Sequence, residues 1–474
     1  MEEYKIENND SIIKSIILSI FDESGPTPKV YWPSDIDEAH RLLIAMKTIS
    51  LLMGDAVYQN GTEIEGVNYF GILPFPDLNL IGLTYFFLIA DEKARGQAKA
   101  STITILIDEE KTSFFYENMK YLRIIIDKTA SNLQIADSLP EYKRIMDALK
   151  DELVDFSQDL KDPFSAKRKI KIVYAGLDYA GKTSFLKAIK EKYSEIINLL
   201  PTKGLERTEE KLFSQQNSQI SIWDLGGQKR YREKYIKQSK MYLYNIDLLF
   251  YIIDVQDSKR IENSLELYKD IINSLKELGE SPPIVICLNK YDPDLKESTE
   301  INNNVEKLKT QIRELSEDFF IKIFKTSIFD RWSLISAYSF GLSQLSPNRD
   351  LFQQQLRVLA NRTNSDAILL LNENGIILAN YSKDEIFGKV FELSAPHFKT
   401  LYKTFKEFKL LKQDFIVSSG ITDEAKKVVF KKIDVDKYKL YLMLFMEEYK
   451  NIEQIEDEIP DFSAILQELI KTYI

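Results

Sequence analysis

The chain has 474 residues, room for about three domains at ~150 residues each. Its 63 Lys and Arg face 73 Asp and Glu, a net charge of −10, which argues against general binding to nucleic-acid backbones. One cysteine, Cys287, excludes an internal disulfide and a cysteine-based zinc site and fits a reducing, cytoplasmic setting.

Residues 1–160 read as a first α+β block. The opening MEEYKIENND is acidic and polar, which excludes a secretory signal, and Glu2 excludes N-myristoylation. IILSIFD (16–22) and PKVYWP (28–33) flank the turn-rich ESGPTP and predict a hairpin. Ile36 to Gly54 has helical spacing, with Leu42, Leu43, Met46, Ile49 and Met53 on one face and Gly54 as the stop. Strands follow around 68–73, 80–90 and 101–107, then a long helix from Lys111 to Ile135 and another from Tyr142 to Phe156. The apolar run Leu80 to Ala90 is far short of the ~20 residues a membrane span needs, so membrane contact is expected to be indirect or peripheral.

Residues 168–347 carry the chemistry. IKIVYA (170–175) is a short apolar strand entering Gly176-Leu-Asp-Tyr-Ala-Gly181-Lys182-Thr183, and a helix follows over 185–192. That strand-loop-helix setting is what G-x-x-x-x-G-K-[ST] requires, because its glycines let backbone N–H groups curl around a phosphate. The cradle spans Gly176, Asp178, Ala180, Gly181, Lys182, Thr183 and Ser184. Lys182 would reach the terminal phosphates and the Thr183 hydroxyl would ligate Mg²⁺. A second signature, Ile222-Trp-Asp224-Leu-Gly226-Gly227-Gln228, places Asp224 at a strand end to hold the magnesium shell. The Gly227 amide could meet a γ-phosphate, and Gln228 could orient an attacking water.

The third signature selects the base. The buried-strand run IVICL (284–288) leads into Asn289-Lys290-Tyr291-Asp292. A carboxylate accepts from the N1–H and the exocyclic amine of guanine, a donor pair adenine lacks, so Asp292 reads as the guanine selector. Asn289 would tie the loop, and Lys290 would lie along the base. Thr326, Ser327 and Ile328, after a strand at 320–324, would offer a backbone N–H to guanine O6.

Residues 349–474 repeat the logic of the first block without repeating its sequence. A helix over 350–362 precedes two strands in 366–381 around Asn-Glu-Asn-Gly, and a helix follows over 397–412. Strands at 414–419, 427–434 and 438–446 lead to a closing amphipathic helix with Phe462, Ile465, Leu466, Leu469, Ile470 and Tyr473 on its apolar face.

GLDYAGKT, Pro201-Thr202-Lys203-Gly204, WDLGGQ and NKYD together resemble the Arf branch of the Ras-like small GTPases, and 325–348 with its following hairpin block resembles the Rag/Gtr GTPases. The resemblance implies a fold of α/β class: a central P-loop G domain (168–347) between a longin-like domain (1–160) and a roadblock-like domain (349–474). It implies GTP or GDP with Mg²⁺ as ligands, and Thr202 as the switch threonine that joins Thr183 and Asp224 at the metal. It implies a slow GTPase with Lys182, Gly227 and Gln228 as its catalytic groups, served by an exchange factor and a GTPase-activating protein. A homo- or heterodimer through the C-terminal domain, and trafficking or signalling assemblies as the setting, complete that expectation. The competing expectation is a GTP-stabilised scaffold that barely hydrolyses nucleotide.

Overall fold

The computed structural model describes residues 12–53, 68–91, 94, 97–158, 169–196, 199–210, 219–409, 415–419, 426–436, 438–447 and 453–473. The acidic N-terminal segment and residues 161–168 lie outside the described residues.

Among those residues there are three sheets. The first contains β1 (Ile13–Asp22), β2 (Gly25–Trp32), β3 (Tyr69–Phe75), β4 (Leu80–Ala90) and β5 (Ala98–Asp108) in the order β2-β1-β5-β4-β3, antiparallel throughout. Its first hairpin turns at Gly25, whose φ of +92° suits glycine, while Asp22 Oδ1 accepts from Ser24 N at 2.8 Å and from Thr27 Oγ1 at 3.0 Å. The helix Glu38–Met53 starts on an Asp37 cap, with Ala39 N donating to Asp37 Oδ2 at 3.0 Å. Its buried residues are Ile44, Ala45, Thr48 and Ile49, whereas Leu42, Leu43 and Met46 are exposed. Ile49 of the expected face is buried, but the face is rotated from Leu42, Leu43 and Met46: small Ala45 and Thr48 let the helix approach the sheet closely, and Thr48 Oγ1 lies 3.2 Å from Thr102 Oγ1 on β5. The expected single helix from 111 to 135 is broken into Ser113–Glu117 and Met119–Gln134. The break falls at Asn118, whose side-chain amide takes the Phe114 carbonyl at 2.9 Å.

The second sheet orders β6 (Lys169–Ala175), β7 (Leu205–Glu210), β8 (Gln219–Leu225), β9 (Leu248–Asp254), β10 (Ile284–Asn289) and β11 (Ile321–Thr326) as β11-β10-β9-β6-β8-β7. All neighbours are parallel except β7, which runs antiparallel to β8. The core strands are near-continuous apolar runs, as burial on both faces requires.

The third sheet contains β12 (Ser365–Asn372), β13 (Ile377–Ser382), β14 (Phe415–Ser419), β15 (Lys426–Val435) and β16 (Tyr438–Glu447) in the order β13-β12-β16-β15-β14. Counted within its own block, that is the strand order of the first sheet. The helix expected from His397 begins earlier and spans Glu385–Glu407; 410–412 lie outside the described residues.

Two compact units result. One combines Lys169–Leu345 with Asp366–Glu448, and the other combines Met1–Arg168 with Ser346–Ser365 and Tyr449–Ile474. In the latter, the helices Arg349–Thr363 and Glu453–Ile470 pack on each other and on β3. Fully buried Asn348 stands in for a neighbouring strand at Ile72: its Oδ1 accepts from Ile72 N at 2.7 Å and its Nδ2 donates to Ile72 O at 3.1 Å. Thr472 Oγ1 also donates to Ile72 O, at 2.8 Å. An edge strand that would otherwise offer open N–H and C=O groups is thereby closed by the chain itself.

Candidate nucleotide site

The site forms at the carboxyl ends of β6, β8, β9, β10 and β11, where an open parallel sheet leaves its crevice. Between β6 and the helix Lys182–Ile189, Gly176 has φ +142° and Gly181 has φ +96°. A Cβ on Gly176 would stand 2.2 Å from Ile252 O, and one on Gly181 would stand 2.4 Å from Asn289 Nδ2. Glycine is required at both for conformation and for space. Tyr179, at φ +62°, is mostly exposed at the loop tip.

Lys182 is buried, and its Nζ donates to the Leu177 and Gly176 carbonyls at 2.8 and 3.1 Å. Burial lowers its pKa to about 8; the Asp224 and Asp178 carboxylates pull upward, while Arg232 and Arg260 push further down. The side chain is thus a cation folded back on the loop that an incoming phosphate would draw out.

Thr183, Thr202 and Asp224 converge although they come from a helix start, a loop and the end of β8. Thr183 Oγ1 donates to Asp224 Oδ2 at 2.6 Å, Thr202 Oγ1 donates to the same oxygen at 3.3 Å, and the two hydroxyls are 2.9 Å apart. Asp224 is 3% exposed, and burial raises its pKa against the opposing charge of Lys182. Its Oδ1 is buried without a hydrogen-bond partner. An orphaned carboxylate oxygen beside two hydroxyls is a hard-oxygen set that fits a small divalent cation.

Gly226 and Gly227 press against this cluster. A Cβ on Gly226 would lie 2.6 Å from Thr202 O, and one on Gly227 would lie 2.0 Å from Asp178 N. The double glycine therefore lets the end of β8 touch the phosphate loop. Gln228 follows at the start of the helix Lys229–Lys237, its carbonyl accepting from Tyr231 N at 2.9 Å and from Arg232 N at 3.1 Å. Ser184 lies in the first turn of the phosphate-loop helix.

At the other pole, Asn289 at the end of β10 is 2% exposed; its Nδ2 donates to Ala180 O at 2.8 Å and its Oδ1 accepts from Thr326 Oγ1 at 3.1 Å. One side chain thus joins the phosphate loop to both base loops. Lys290, at φ +61°, sends Nζ to Asp254 Oδ2 at 2.6 Å. Asp292 is held on both oxygens, by Ser327 Oγ at 2.5 Å and by Gln256 Nε2 at 2.9 Å. Ser327 N already donates to Ser333 Oγ at 3.0 Å, which leaves the Ile328 N–H as the donor available in that loop.

Two residues at the site were not anticipated from sequence. Gln256, besides Asp292, also grips Lys290 O at 2.7 Å, and Arg260 pairs with Asp178. Both follow β9, whose apolar run LLFYIID would have marked it as the strand feeding them. Arg207 is exposed on β7 and lies with its guanidinium 3.9 Å from the centre of the Trp223 ring.

Residues 171–395 match the family description "Gtr1/RagA G protein conserved region". Ras-related GTP-binding protein B of Rattus norvegicus is 26% identical over 196 residues, 41% of this chain and 50% of that protein. ADP-ribosylation factor-like protein 3 of Chlamydomonas reinhardtii is 35% identical over 122 residues, 26% of this chain and 63% of that protein. A solved structure of the small GTPase Arl6 from Trypanosoma brucei, with the nucleotide analogue GppNp, is 21% identical with a TM-score of 0.31, covering 37% of this chain and 97% of its own. The chain spans about half the length of the Rag relatives it matches. The family match, the two sequence relatives and the motifs set out above support a Rag/Arf-type small GTPase over residues 171–395.

Proposed function

We propose that the chain binds GTP and GDP with Mg²⁺ and works as a slowly hydrolysing molecular switch. The observation that carries this reading is the meeting of Thr202 with Thr183 and Asp224, because it brings a loop residue to the oxygen cluster beside the phosphate cradle. Mg²⁺ would be held by Thr183 and Thr202 with Asp224 behind them, and it would supply charge to the phosphates. Among the described residues there is no group of three His, Cys, Asp or Glu side chains suited to a metal, so the hydroxyls are essential to this set. Lys182 would leave its carbonyls for the phosphates, the Gly227 amide would meet the γ-phosphate, and Gln228 would orient the attacking water. Asp292, with Lys290 along the base and Ile328 N–H toward O6, would select guanine. Loss of the γ-phosphate would release the 199–210 and 226–242 segments and change the surface offered to partners.

Slow turnover is the reading that two arginine placements support: Arg207 covers Trp223 and Arg260 is committed to Asp178, while Leu199 stands three residues before Thr202 and Arg232 lies near Lys182. An arginine acting on the transition state is worth about 10³–10⁵ in rate, so one supplied by an activating protein is the expected remedy. The shared strand order of the two end sheets supports reading them as longin-like and roadblock-like platforms for trafficking or signalling assemblies. Pairing of the C-terminal domain with a second GTPase is part of this proposal. Among the described residues no helix is long and apolar enough to cross a membrane, which suits attachment through partners.

Single-turnover hydrolysis of GTP by the full chain tests the switch. Slow release of phosphate, stopped by chelating Mg²⁺ and slowed at least about tenfold in Gln228→Leu, is the expected result. Turnover near 1 s⁻¹ would show that an arginine of the chain itself acts on the transition state, within the ~10³–10⁵-fold such a group supplies.

A further inference from the structure

We propose that Arg260 is a positioning residue that clamps the phosphate-loop carboxylate Asp178, and that this clamp sets the preference of the site for triphosphate over diphosphate. The proposal rests on the nucleotide-binding reading above.

Arg260 holds Asp178 at two points. Its Nη2 pairs with Asp178 Oδ1, and its Nη1 donates to the Asp178 backbone carbonyl at 3.2 Å. The guanidinium is planar and fork-shaped, so two contacts fix the carboxylate's direction as well as its charge. The arginine is itself anchored: its backbone N–H donates to Asp257 O at 3.0 Å, its Nη1 lies 3.8 Å from Asp257 Oδ2, and it immediately precedes the helix Ile261–Leu278, whose Ile261, Leu265 and Tyr268 are buried. Asp178 lies at the γ end of the site, because a Cβ on Gly227 would touch Asp178 N at 2.0 Å. A free carboxylate there would repel a bound nucleotide, and it would repel the additional charge of a triphosphate most. With the clamp in place that charge is cancelled and turned toward the 257–260 loop. The same contact keeps Arg260 from acting as a free cation on the phosphates, in keeping with slow turnover.

One uncompensated carboxylate facing the terminal phosphate across an effective dielectric of about 20 weakens triphosphate binding by about ten- to fiftyfold. The test is the affinity of the full-length chain, with Mg²⁺, for a non-hydrolysable GTP analogue and for GDP. Arg260→Gln should lose about ten- to fiftyfold in triphosphate affinity while GDP affinity changes much less. Arg260→Lys, which keeps the charge but not the fork, should retain only part of the preference. Asp178→Asn alone should shift the preference further toward triphosphate, since it leaves Arg260 with only the longer Asp257 carboxylate contact; this variant decides the matter if Arg260→Gln does not fold. The double variant Asp178→Asn/Arg260→Gln should return the ratio to within about twofold of wild type. Equal loss for both nucleotides in Arg260→Gln, or no recovery in the double variant, would overturn the clamp. A wild-type chain that binds neither nucleotide would overturn the binding reading itself, and the clamp with it.

Discussion

The two poles of the nucleotide site are built differently. At the phosphate pole the polar groups hold one another: Lys182 sits on two carbonyls, Thr183 and Thr202 share one oxygen of Asp224, and the other oxygen has no partner. At the base pole Asp292 is steadied on both oxygens by Ser327 and Gln256. A carboxylate oxygen has more than one lone pair, so those bonds leave room for guanine. On the proposed reading, the phosphate pole would exchange its internal contacts for ligand contacts, whereas the base pole is already set. Affinity should therefore depend on the first and selectivity on the second, with Asn289 joining them.

The largest effect is expected at the phosphate pole. Lys182→Ala should abolish measurable binding of every nucleotide by calorimetry, because the buried cation that meets the phosphates is lost. Binding that survives would mean that the lysine only braces its own loop. At the base pole, Asp292→Asn should lower GTP affinity by about a hundredfold or more and move preference to xanthine nucleotides. Unchanged GTP affinity in competition binding would break the distinction between the poles. Gln256→Ala sharpens it further, since it removes one support and no base contact. GTP affinity should fall by about three- to tenfold, with guanine still preferred over adenine. A loss as large as that of Asp292→Asn would make Gln256 a reader of the base itself.

The motifs of both poles were legible because phosphate and guanine demand particular residues at fixed spacing. Gly176, Gly181 and Gly227 each leave no room for a Cβ. Gln256 and Arg260 were not legible, because they act from a loop that carries no motif and follows a strand absent from the sequence reading. The strands of the end blocks were readable from their apolar runs, and both sheets share one strand order. Helix faces divided: Phe462, Leu466, Leu469, Ile470 and Tyr473 of the closing helix are buried as expected, whereas the first helix departs from its expected face. Leu42, Leu43 and Met46 have the right spacing for a core stripe, yet Ala45 and Thr48 face inward because close approach favours small side chains. Asn348 could not have been found at all: its bonds to Ile72 span 276 residues, and no local pattern marks an amide that imitates a strand.

Competition binding to the full-length chain tests the central claim most directly. Fluorescent GTP, with Mg²⁺ present, should be displaced by GTP and by GDP but not by about a hundredfold excess of ATP, since adenine lacks the donor pair that Asp292 accepts. Displacement by ATP as readily as by GTP, or no binding of the fluorescent nucleotide, would contradict it.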